Sequence, residues 1–561
     1  MVIRRRLPRL RLEAAHAHGE PLALESFLLR GWAHGDDAFV SLATRGTHSG
    51  CCGPGGCIVT AERKVRLIPS GGFQMPALDG LPEGFVAIPR PVHEFDATYY
   101  DTSDLELARW GITLRHRGDV SGRPWTLKLP EHSSGVLVTR EELGFEGSMD
   151  AVPAEACDLV RGFTRGRQLI RVARLHTNRV RVGVEDANRQ VLIEVVDDSV
   201  SVLAGARKLD SFREVEVEAA VDTPSSRATL RSAVALLVEA GCRAERPIPK
   251  LVRALGQRAQ EPPSVVVVSV DRQSSMAELV RHVTAYSVKQ IVMNDAGVRL
   301  GRDPEAVHRY RVAARRLRSD LRTFDRFLED GPAGRLRDEL SWLGGAVGPV
   351  RDLDVLGARF VGHSSGLLGE DQAAASKLLA RVWASRRDAR DELLEAMRSE
   401  RYDSVLRALV EFASGPSLGR NFKHESTRPA AGSARRLVKR RWKQLAATVE
   451  AVGEDPSDEE LHRIRIAAKR CRYAAEAVAP VVGRRASRFA AGVEEVQTVL
   501  GDYHDAVVAE AWLRDAAARL VDCRVVIGGL IAIERQERAR LREAWPAAWH
   551  LASRREARAW F

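Results

Sequence analysis

Two stretches of this chain, 154 residues apart, repeat one unusual pattern: residues 307–324 read VHRYRVAARRLRSDLRTF and residues 461–478 read LHRIRIAAKRCRYAAEAV. At the pitch of an α-helix, His308, Arg311, Arg315, Arg318 and Arg322 fall within an arc of roughly 80°. Tyr310, Ala314, Leu317, Leu321, Phe324 and Leu328 form a second stripe, centred roughly 120° away. The second copy repeats both stripes, with His462, Arg465, Lys469 and Arg472 on one and Leu461, Ile464, Ala468, Cys471 and Ala475 on the other. One face packs into a helical bundle and the other presents a row of cations. In the first copy that row runs four turns without a carboxylate. Like charges at i,i+4 repel, so the row calls for an anion or for acids from neighbouring helices. The planar fork of arginine suits phosphate oxygens. The second row is shorter, because Glu476 stands where the first copy has Arg322.

The charge balance points the same way. The net charge is +11, and residues 257–561 hold 52 basic against 42 acidic residues, nearly all of the excess. A polyanionic partner follows, whether nucleic acid, an anionic surface or polyphosphate. Further cations lie in ARRLVKRRWK at 434–443, where Trp442 is the one aromatic, so a base-stacking platform is unsupported. From Ser274 onward apolar residues recur at three and four, and this half reads as all-α with an internal duplication. Breaks fall near 331–334, 415–419 and 429–432.

Residues 59–256 read differently. Short alternating segments recur (AERKVRL, TYYDT, ITLRHR, WTLKLP, VRVGVED, VLIEVVDD and REVEVEA), with helical patterns at 153–163 and 224–241. Many short antiparallel strands imply a barrel or a sandwich. Several strands carry charge at period 2: Glu62 with Lys64, Arg115 with Arg117, and Glu214, Glu216 and Glu218 together. Either this face lies in water, or it lines a wet, charged lumen. A lumen holding both signs suits a triphosphate, whose oxygens need Arg and Lys while carboxylates hold a bridging divalent metal. Phosphoryl transfer of this kind needs no covalent nucleophile.

The remaining features constrain less. Residues 1–58 lack periodicity and include CCGPGGC, with no second CxxC or His pair for a metal site. They are expected to be a disordered extension, or to precede the true start near Val59. Of the seven cysteines three crowd into Cys51, Cys52 and Cys57 and the rest are scattered, which fits a reducing compartment. The longest apolar runs, such as VIGGLIAI at 526–533, are too short to span a bilayer, and no apolar stretch follows the N-terminal arginines. A cytoplasmic location is expected, without membrane contact. His93 and His176 read as structural or exposed, and His504 beside Asp505 lacks a metal constellation. There is no GxxxxGK[ST] loop and no nucleophile elbow.

Two resemblances sharpen these expectations. HRYRVAARRLRSDLRTF and HRIRIAAKRCRYAAEAV resemble the signature helices of the CHAD, or histidine α-helical, domain. GPVRDLDVL at 348–356 and GDYHDAVV at 501–508 resemble its second motif, with Asp352 and Asp505 in equivalent places. The resemblance covers about residues 272–555. It implies two pseudo-symmetric four-helix bundles, about 273–415 and 430–555, following a linker at 257–272. It also implies that His308, Arg311, Arg315, Arg318, Arg322, His462, Arg465, Lys469 and Arg472 bind long-chain polyphosphate, with no specific nucleic acid partner and an association with polyphosphate granules.

Upstream, AERKV, FDATYYDTSDLELARWGITLRHR, WTLKLP, REVEVE and PIPKLVRALG resemble in order the CYTH family, the triphosphate tunnel metalloenzymes. The resemblance implies a closed antiparallel β tunnel over 59–256 that cleaves inorganic triphosphate or another triphosphate with Mg²⁺ or Mn²⁺. On it, Lys64, Arg115, Arg117, Lys128, Arg179 and Lys250 bind phosphate. Glu62, Glu216 and Glu218 hold metal, with Glu214 as a register alternative. Glu194 and Asp197 are candidates for a further metal ligand or a water-orienting acid. Arg140 and Glu142 read equally as a surface ion pair. The opening ExExK motif has Thr60 where its first glutamate belongs. The expected chain is therefore α+β and multidomain, a metal-dependent triphosphatase with a polyphosphate-binding half. The alternative is a non-catalytic polyphosphate-binding or granule-associated protein with a degenerate tunnel.

Overall fold

The computed structural model describes residues 59–561 except 82–83, 120–122, 131–132, 135–136, 245–247, 417 and 420–427. The CCGPGGC stretch and the N-terminal expectation lie outside the described residues. The chain forms two compact units. Among the described residues, one holds 59–98, 115–146 and 173–254; the other holds 99–114, 147–172 and 255–561.

The first unit is built on ten antiparallel strands: β1 (Val59–Pro69), β2 (Val86–Asp101), β3 (Thr113–Arg117), β4 (Trp125–Lys128), β5 (Ser133–Ser134), β6 (Leu137–Phe145), β7 (Ile170–Glu185), β8 (Val191–Ala204), β9 (Arg207–Ala219) and β10 (Cys242–Ala244). Their order is β10-β1-β9-β8-β7-β2-β3-β4-β6-β5, and β1 also pairs with β6, linking the two ends of that order. Each alternating segment singled out in the sequence falls on one of these strands, four of them running one or two residues past its bounds.

One face of β1, β7, β8 and β9 is apolar. Val65 and Leu67 pair across to Val217 and Val215, and these pack with Val182, Val184, Ile193 and Val195. Leu230, Ala233, Val234 and Leu237 complete this core from a helix whose start is fixed by Thr223, Ser226 and a first-turn proline. Burying the apolar side beneath a helix sends the alternating charged side to the opposite face. A short helix at Lys250–Leu255 follows β10.

In the second unit, α1 (Glu106–Arg109), α2 (Ala154–Leu159) and α3 (Arg161–Thr164) precede α4 and α5, which are the two helices just described at Pro224–Glu239 and Lys250–Leu255 in the first unit. Then come two runs of four long helices. The first is α6 (Met276–Leu300), α7 (Pro304–Thr323), α8 (Asp330–Ser364) and α9 (Gly369–Arg398). After α10 (Glu400–Ser414), the second is α11 (Ala431–Glu450), α12 (Asp458–Val482), α13 (Arg484–Arg519) and α14 (Arg524–Ala552). Lengths of 25, 20, 35 and 30 residues are answered by 20, 25, 36 and 29, in keeping with the duplication. The breaks at 331–334 and 429–432 lie at the starts of α8 and α11, and that at 415–419 follows α10. The two runs share a core: Leu356, Phe360, Leu378 and Val382 pack with Leu513, Val526, Ile527 and Leu530.

The stretches α1 to α3 come from within the β half of the sequence but are anchored among the long helices. Arg161 grips Asp403 through Nε and Nη2 at 2.8 and 2.7 Å. Arg299 donates to Asp158 at 2.8 Å and to Asp295 at 2.7 Å. Asp295 accepts from Tyr402, whose hydroxyl lies 2.8 Å from that of Tyr310 on α7. No helix among the described residues is long and apolar enough to cross a membrane.

Candidate functional site

The charged face of the sheet is buried. Asp198 and Glu214 are 0% exposed and Glu216 is 2% exposed. Such burial is tolerable only with partners, and register supplies them. Lys64 lies opposite Glu218 and Arg66 opposite Glu216. Lys64 Nζ is 3.4 Å from Glu216 and 3.3 Å from Glu218, and Arg66 Nε is 2.8 Å from Glu216. Across β7 and β8, Arg179 holds Asp198 through two hydrogen bonds of 2.8 and 2.7 Å. Lys250 pairs with Asp198 and lies 3.3 Å from Glu214, which Arg253 also reaches at 3.3 Å.

The electrostatics separate these acids. Burial opposes the charge of Glu216, but Lys64, Lys250, Arg66 and Arg179 outweigh it and hold its carboxyl well below the usual range. Burial likewise works against Asp198, and Arg179 and Lys250 again prevail. At Glu214 burial wins, helped by Glu216, and the carboxyl is pushed up despite Lys250. Its Oε1 has no hydrogen-bond partner, since Lys250 at 3.3 Å lacks the geometry.

Other expected residues join this face. Glu194 lies opposite Glu218, 3.9 Å from Arg181. Arg117 sits 3.9 Å over the Phe95 ring, with Arg179 5.4 Å from the same ring, and Arg117 is also tied to Asp119. Arg115 shares the strand face of Arg117. Lys128 pairs with Glu142 at 2.8 Å, and Glu142 lies opposite Thr60 in the register that sets Arg140 opposite Glu62. The side chains of Thr60, Glu62 and Arg140 lie outside the described residues.

Asp197 is the exception. It lies opposite Val215, on the apolar side, where Arg213 holds it at 2.8 and 2.6 Å. The acid that β8 turns to the charged face is Asp198. Glu194 and Asp197 are three residues apart and cannot share a strand face, whereas Glu194 and Asp198 keep the period. Arg66 and Arg181, each two residues beyond an expected cation, and Arg253, one helical turn beyond Lys250, were legible by the same rule and were missed. His93 and His176 are held by Asp119 and Asp96, at 2.6 and 2.9 Å.

Among the described residues no group of three or more His, Cys, Asp or Glu forms a metal cluster. The available donors are carboxylates, which suit a hard cation such as Mg²⁺ or Mn²⁺. Glu216 and Glu218, two apart on β9, already share one cation in Lys64.

The second unit gathers the duplicated rows. Arg315 on α7 donates through Nε and Nη2 to the Tyr473 hydroxyl on α12, at 3.1 and 2.9 Å. Arg311 reaches Asp352 at 2.6 Å and the Gly348 carbonyl at 3.0 Å. Arg318 meets the Ser341 hydroxyl at 2.9 Å. Arg322 is exposed at the end of α7, and its carbonyl accepts from Arg441 at 2.9 Å. On α12, Arg472 lies 3.3 Å from Glu476 and also pairs with Glu494. Lys469 has no carboxylate partner among the described residues. Burial first, then Arg315, Arg465, Arg311 and Arg472, push its ammonium down to about 7. Burial, with Arg315 and Arg311, lowers Arg465, against Asp505 and Asp352.

The histidines join the same centre. His462 and His504 lie with ring centroids 4.5 Å apart. Burial, Arg465, His462 and Lys469 push His504 down to about 4. His308 is lowered by burial and by Arg351. The two rows therefore converge on one cationic centre, with Asp352 and Asp505 beside it. Trp442 is buried, stacked on Trp549 at 5.1 Å, and presents no platform for bases.

Comparisons with known proteins agree with this layout. Residues 60–244 match the CYTH domain and residues 283–514 the CHAD domain. Two uncharacterized proteins of Mycobacterium tuberculosis, from strains CDC 1551 and H37Rv, are each 31% identical over 468 residues, covering 81% of this chain and 87% of theirs. Among solved structures, the CHAD domain from the plant Ricinus communis is 26% identical, covering 51% of this chain and 95% of its own, with a TM-score of 0.42. PptA from Streptomyces chartreusis is 22% identical over 49% and 100% of the two chains, with a TM-score of 0.40. HpAC1 from Hippeastrum, titled an adenylyl cyclase with a dominant triphosphatase activity, is 18% identical over 34% and 94%, with a TM-score of 0.21. The chain thus belongs to the family of proteins in which a CYTH domain, the triphosphate tunnel fold, is followed by a CHAD domain.

Proposed function

We propose that the charged face of the β unit hydrolyses inorganic triphosphate or a short polyphosphate with a divalent metal, and that the converging rows of the helical unit bind long-chain polyphosphate. The observation that carries the first half is a buried strand face on which the carboxylates of the neighbouring strands β8 and β9 are flanked by the cations of β7 on one side and β1 on the other, with Asp198, Glu214 and Glu216 almost fully enclosed. An interior of both signs is costly as a mere scaffold and suits a polyanion that arrives with a cation. Lys64, Arg66, Arg115, Arg117, Lys128, Arg179 and Lys250 would take the phosphate oxygens. Glu216 and Glu218, with Glu62, would hold the metal, which supplies charge neutralisation and polarisation of the phosphoryl group.

The ion pairs keep the cations in place for substrate. Asp198 holds Arg179 and Lys250 together, and Glu216 holds Lys64 and Arg66 together. Incoming phosphate would exchange one acidic partner for another without reorganising the cations. Glu194, whose contact to Arg181 is long at 3.9 Å, is the acid best free to orient the attacking water. Phosphate release from tripolyphosphate with and without Mg²⁺ or Mn²⁺, beside Lys64→Ala and Glu216→Ala, tests this. Metal-dependent turnover lost in both variants supports it; no turnover with either metal overturns it. Thr60 favours a second reading, a tunnel that binds phosphate without cleaving it.

The second half of the proposal rests on Lys469, a half-buried cation with no carboxylate partner among the described residues, pushed down by burial and by Arg315, Arg465, Arg311 and Arg472. Polyphosphate would supply the missing negative charge. Competition tests it: bound polyphosphate should be displaced by polyphosphate and not by duplex DNA at equal phosphate concentration. Displacement by both would reduce the rows to a general polyanion surface.

A further inference from the structure

A cleft of about 660 Å³ opens between α11 and α12. Its chemistry differs from that of the basic rows. Arg441, Arg463 and Arg470 stand around it, and no carboxylate lines it among the described residues. Its floor is apolar and built from small side chains, chiefly Ala447, Ala467, Val452 and Ile466. Gln444 and Thr448 add the amide nitrogen and the hydroxyl oxygen, because the Gln444 Oε1 already accepts from Arg441 at 3.1 Å and the Thr448 hydroxyl donates to the Gln444 carbonyl at 2.8 Å.

The arginines are arranged rather than scattered. Arg441 is fixed by Gln444 at 3.1 Å and by the Arg322 carbonyl at 2.9 Å. Burial lowers it most, and Arg440, Arg470 and Arg322 crowd it with like charge, against Asp325. Arg470 also acts on Arg318, so the cationic end of the cleft continues the row on α7. Arg463 lies seven residues before Arg470 on α12, about 10 Å along the helix. A bare phosphate chain has no use for the apolar floor between them, and a hydrocarbon chain has none for Gln444 and Thr448. A compact ring system with a polar edge and a phosphate tail uses all of it, and the volume suits a ligand of that size.

We propose that this cleft binds a nucleoside phosphate, with its phosphates on Arg441 and Arg470 and its base over Ala447, Ile466 and Ala467. The base is held by apolar contact and by hydrogen bonds at its edge, since the cleft has no aromatic lining. The site lies wholly within the helical unit. An azidopurine diphosphate used as a photolabel on the full-length protein tests it, with the label mapped by mass spectrometry. The expected result is labelling within residues 441–470, protected by ADP and not by the same concentration of pyrophosphate. Labelling should fall at least tenfold in Ala447→Trp, which fills the cleft from an exposed position, and in the Arg441→Ala, Arg470→Ala double variant. Absence of label in that segment at millimolar probe would overturn the proposal. So would labelling that survives both variants, or equal protection by pyrophosphate, which would make the cleft an anion site without a place for the base.

Discussion

Lys469 makes anion binding a proton-linked reaction. In the free protein its ammonium is held at about 7, by burial first and then by Arg315, Arg465, Arg311 and Arg472. A phosphate chain laid across Arg311, Arg315 and Arg465 reverses the sign of the local field and restores an ordinary lysine value, about 10.4. The sign follows directly: the bound state carries the proton, so affinity falls as pH rises through the free value. With these two values, affinity drops about tenfold between pH 6 and pH 8, and binding at pH 8 takes up about 0.9 proton. Titration calorimetry with long polyphosphate, in two buffers of different ionisation enthalpy, reads the uptake. Long chains are needed because their interior phosphates do not titrate here. His308, His462 and His504 face the same centre and are all pushed below their ordinary value. Lys469→Arg separates them from the lysine: it should keep the affinity at pH 6 and abolish most of the uptake at pH 8. A flat affinity with no uptake in the wild type would refute the reasoning, as would full uptake in Lys469→Arg.

Four further outcomes follow from particular contacts. Tyr473→Phe removes the hydroxyl that accepts twice from Arg315 and should weaken polyphosphate binding about fivefold, near 1 kcal/mol, read by calorimetry with the melting temperature unchanged. Burial pushes Asp320 up to about 8, with Glu476 adding to it and Arg316 opposing, and neither oxygen has a hydrogen-bond partner. Its folded value lies above its unfolded one, so it is a raised acid: stability should fall as pH rises from 4 to 8 by about 1.4 kcal/mol per unit at most. Denaturant melts of Asp320→Asn should lose that slope. Gly162→Ala would set a Cβ 2.6 Å from that of Asp295 and should lower the melting temperature through about 1–3 kcal/mol of overpacking. Thr60→Glu completes the ExExK pattern and should lower the metal concentration needed for half-maximal turnover; an unchanged metal requirement would set Thr60 aside as the reason for weak activity.

The alternation in REVEVE was enough to place Glu214, Glu216 and Glu218 on one face, and it did so correctly. It could not say which face was inside, because a strand with charge on alternate residues looks the same turned over. The helix Pro224–Glu239 decided that by covering the valines. Asp197 shows the cost of leaving the period: the neighbouring Asp198 fits the alternation with Glu194 and carries Arg179 and Lys250. On the helical side, each basic row was visible from its own spacing of three and four. Their meeting was not, because the approach of Arg315 to Tyr473 and of Arg311 to Lys469 depends on how α7 and α12 pack, which neither helix encodes alone. Nor was it legible that α2 and α3 belong with the long helices. That follows from Arg161 meeting Asp403 and Arg299 meeting Asp158, pairs separated by 242 and 141 residues.

The most direct test of the central claim compares two adjacent acids. Phosphate release from tripolyphosphate, in Mg²⁺ or Mn²⁺, should be metal-dependent in the wild type and near wild type in Asp197→Asn, whose side chain lies on the apolar side. It should fall at least about a hundredfold in Asp198→Asn, which loses its hold on Arg179 and Lys250, two of the cations proposed to bind phosphate. Turnover that survives in Asp198→Asn and fails in Asp197→Asn would put the chemistry on the wrong face of the sheet, and a wild type that releases no phosphate with either metal would contradict the enzyme itself.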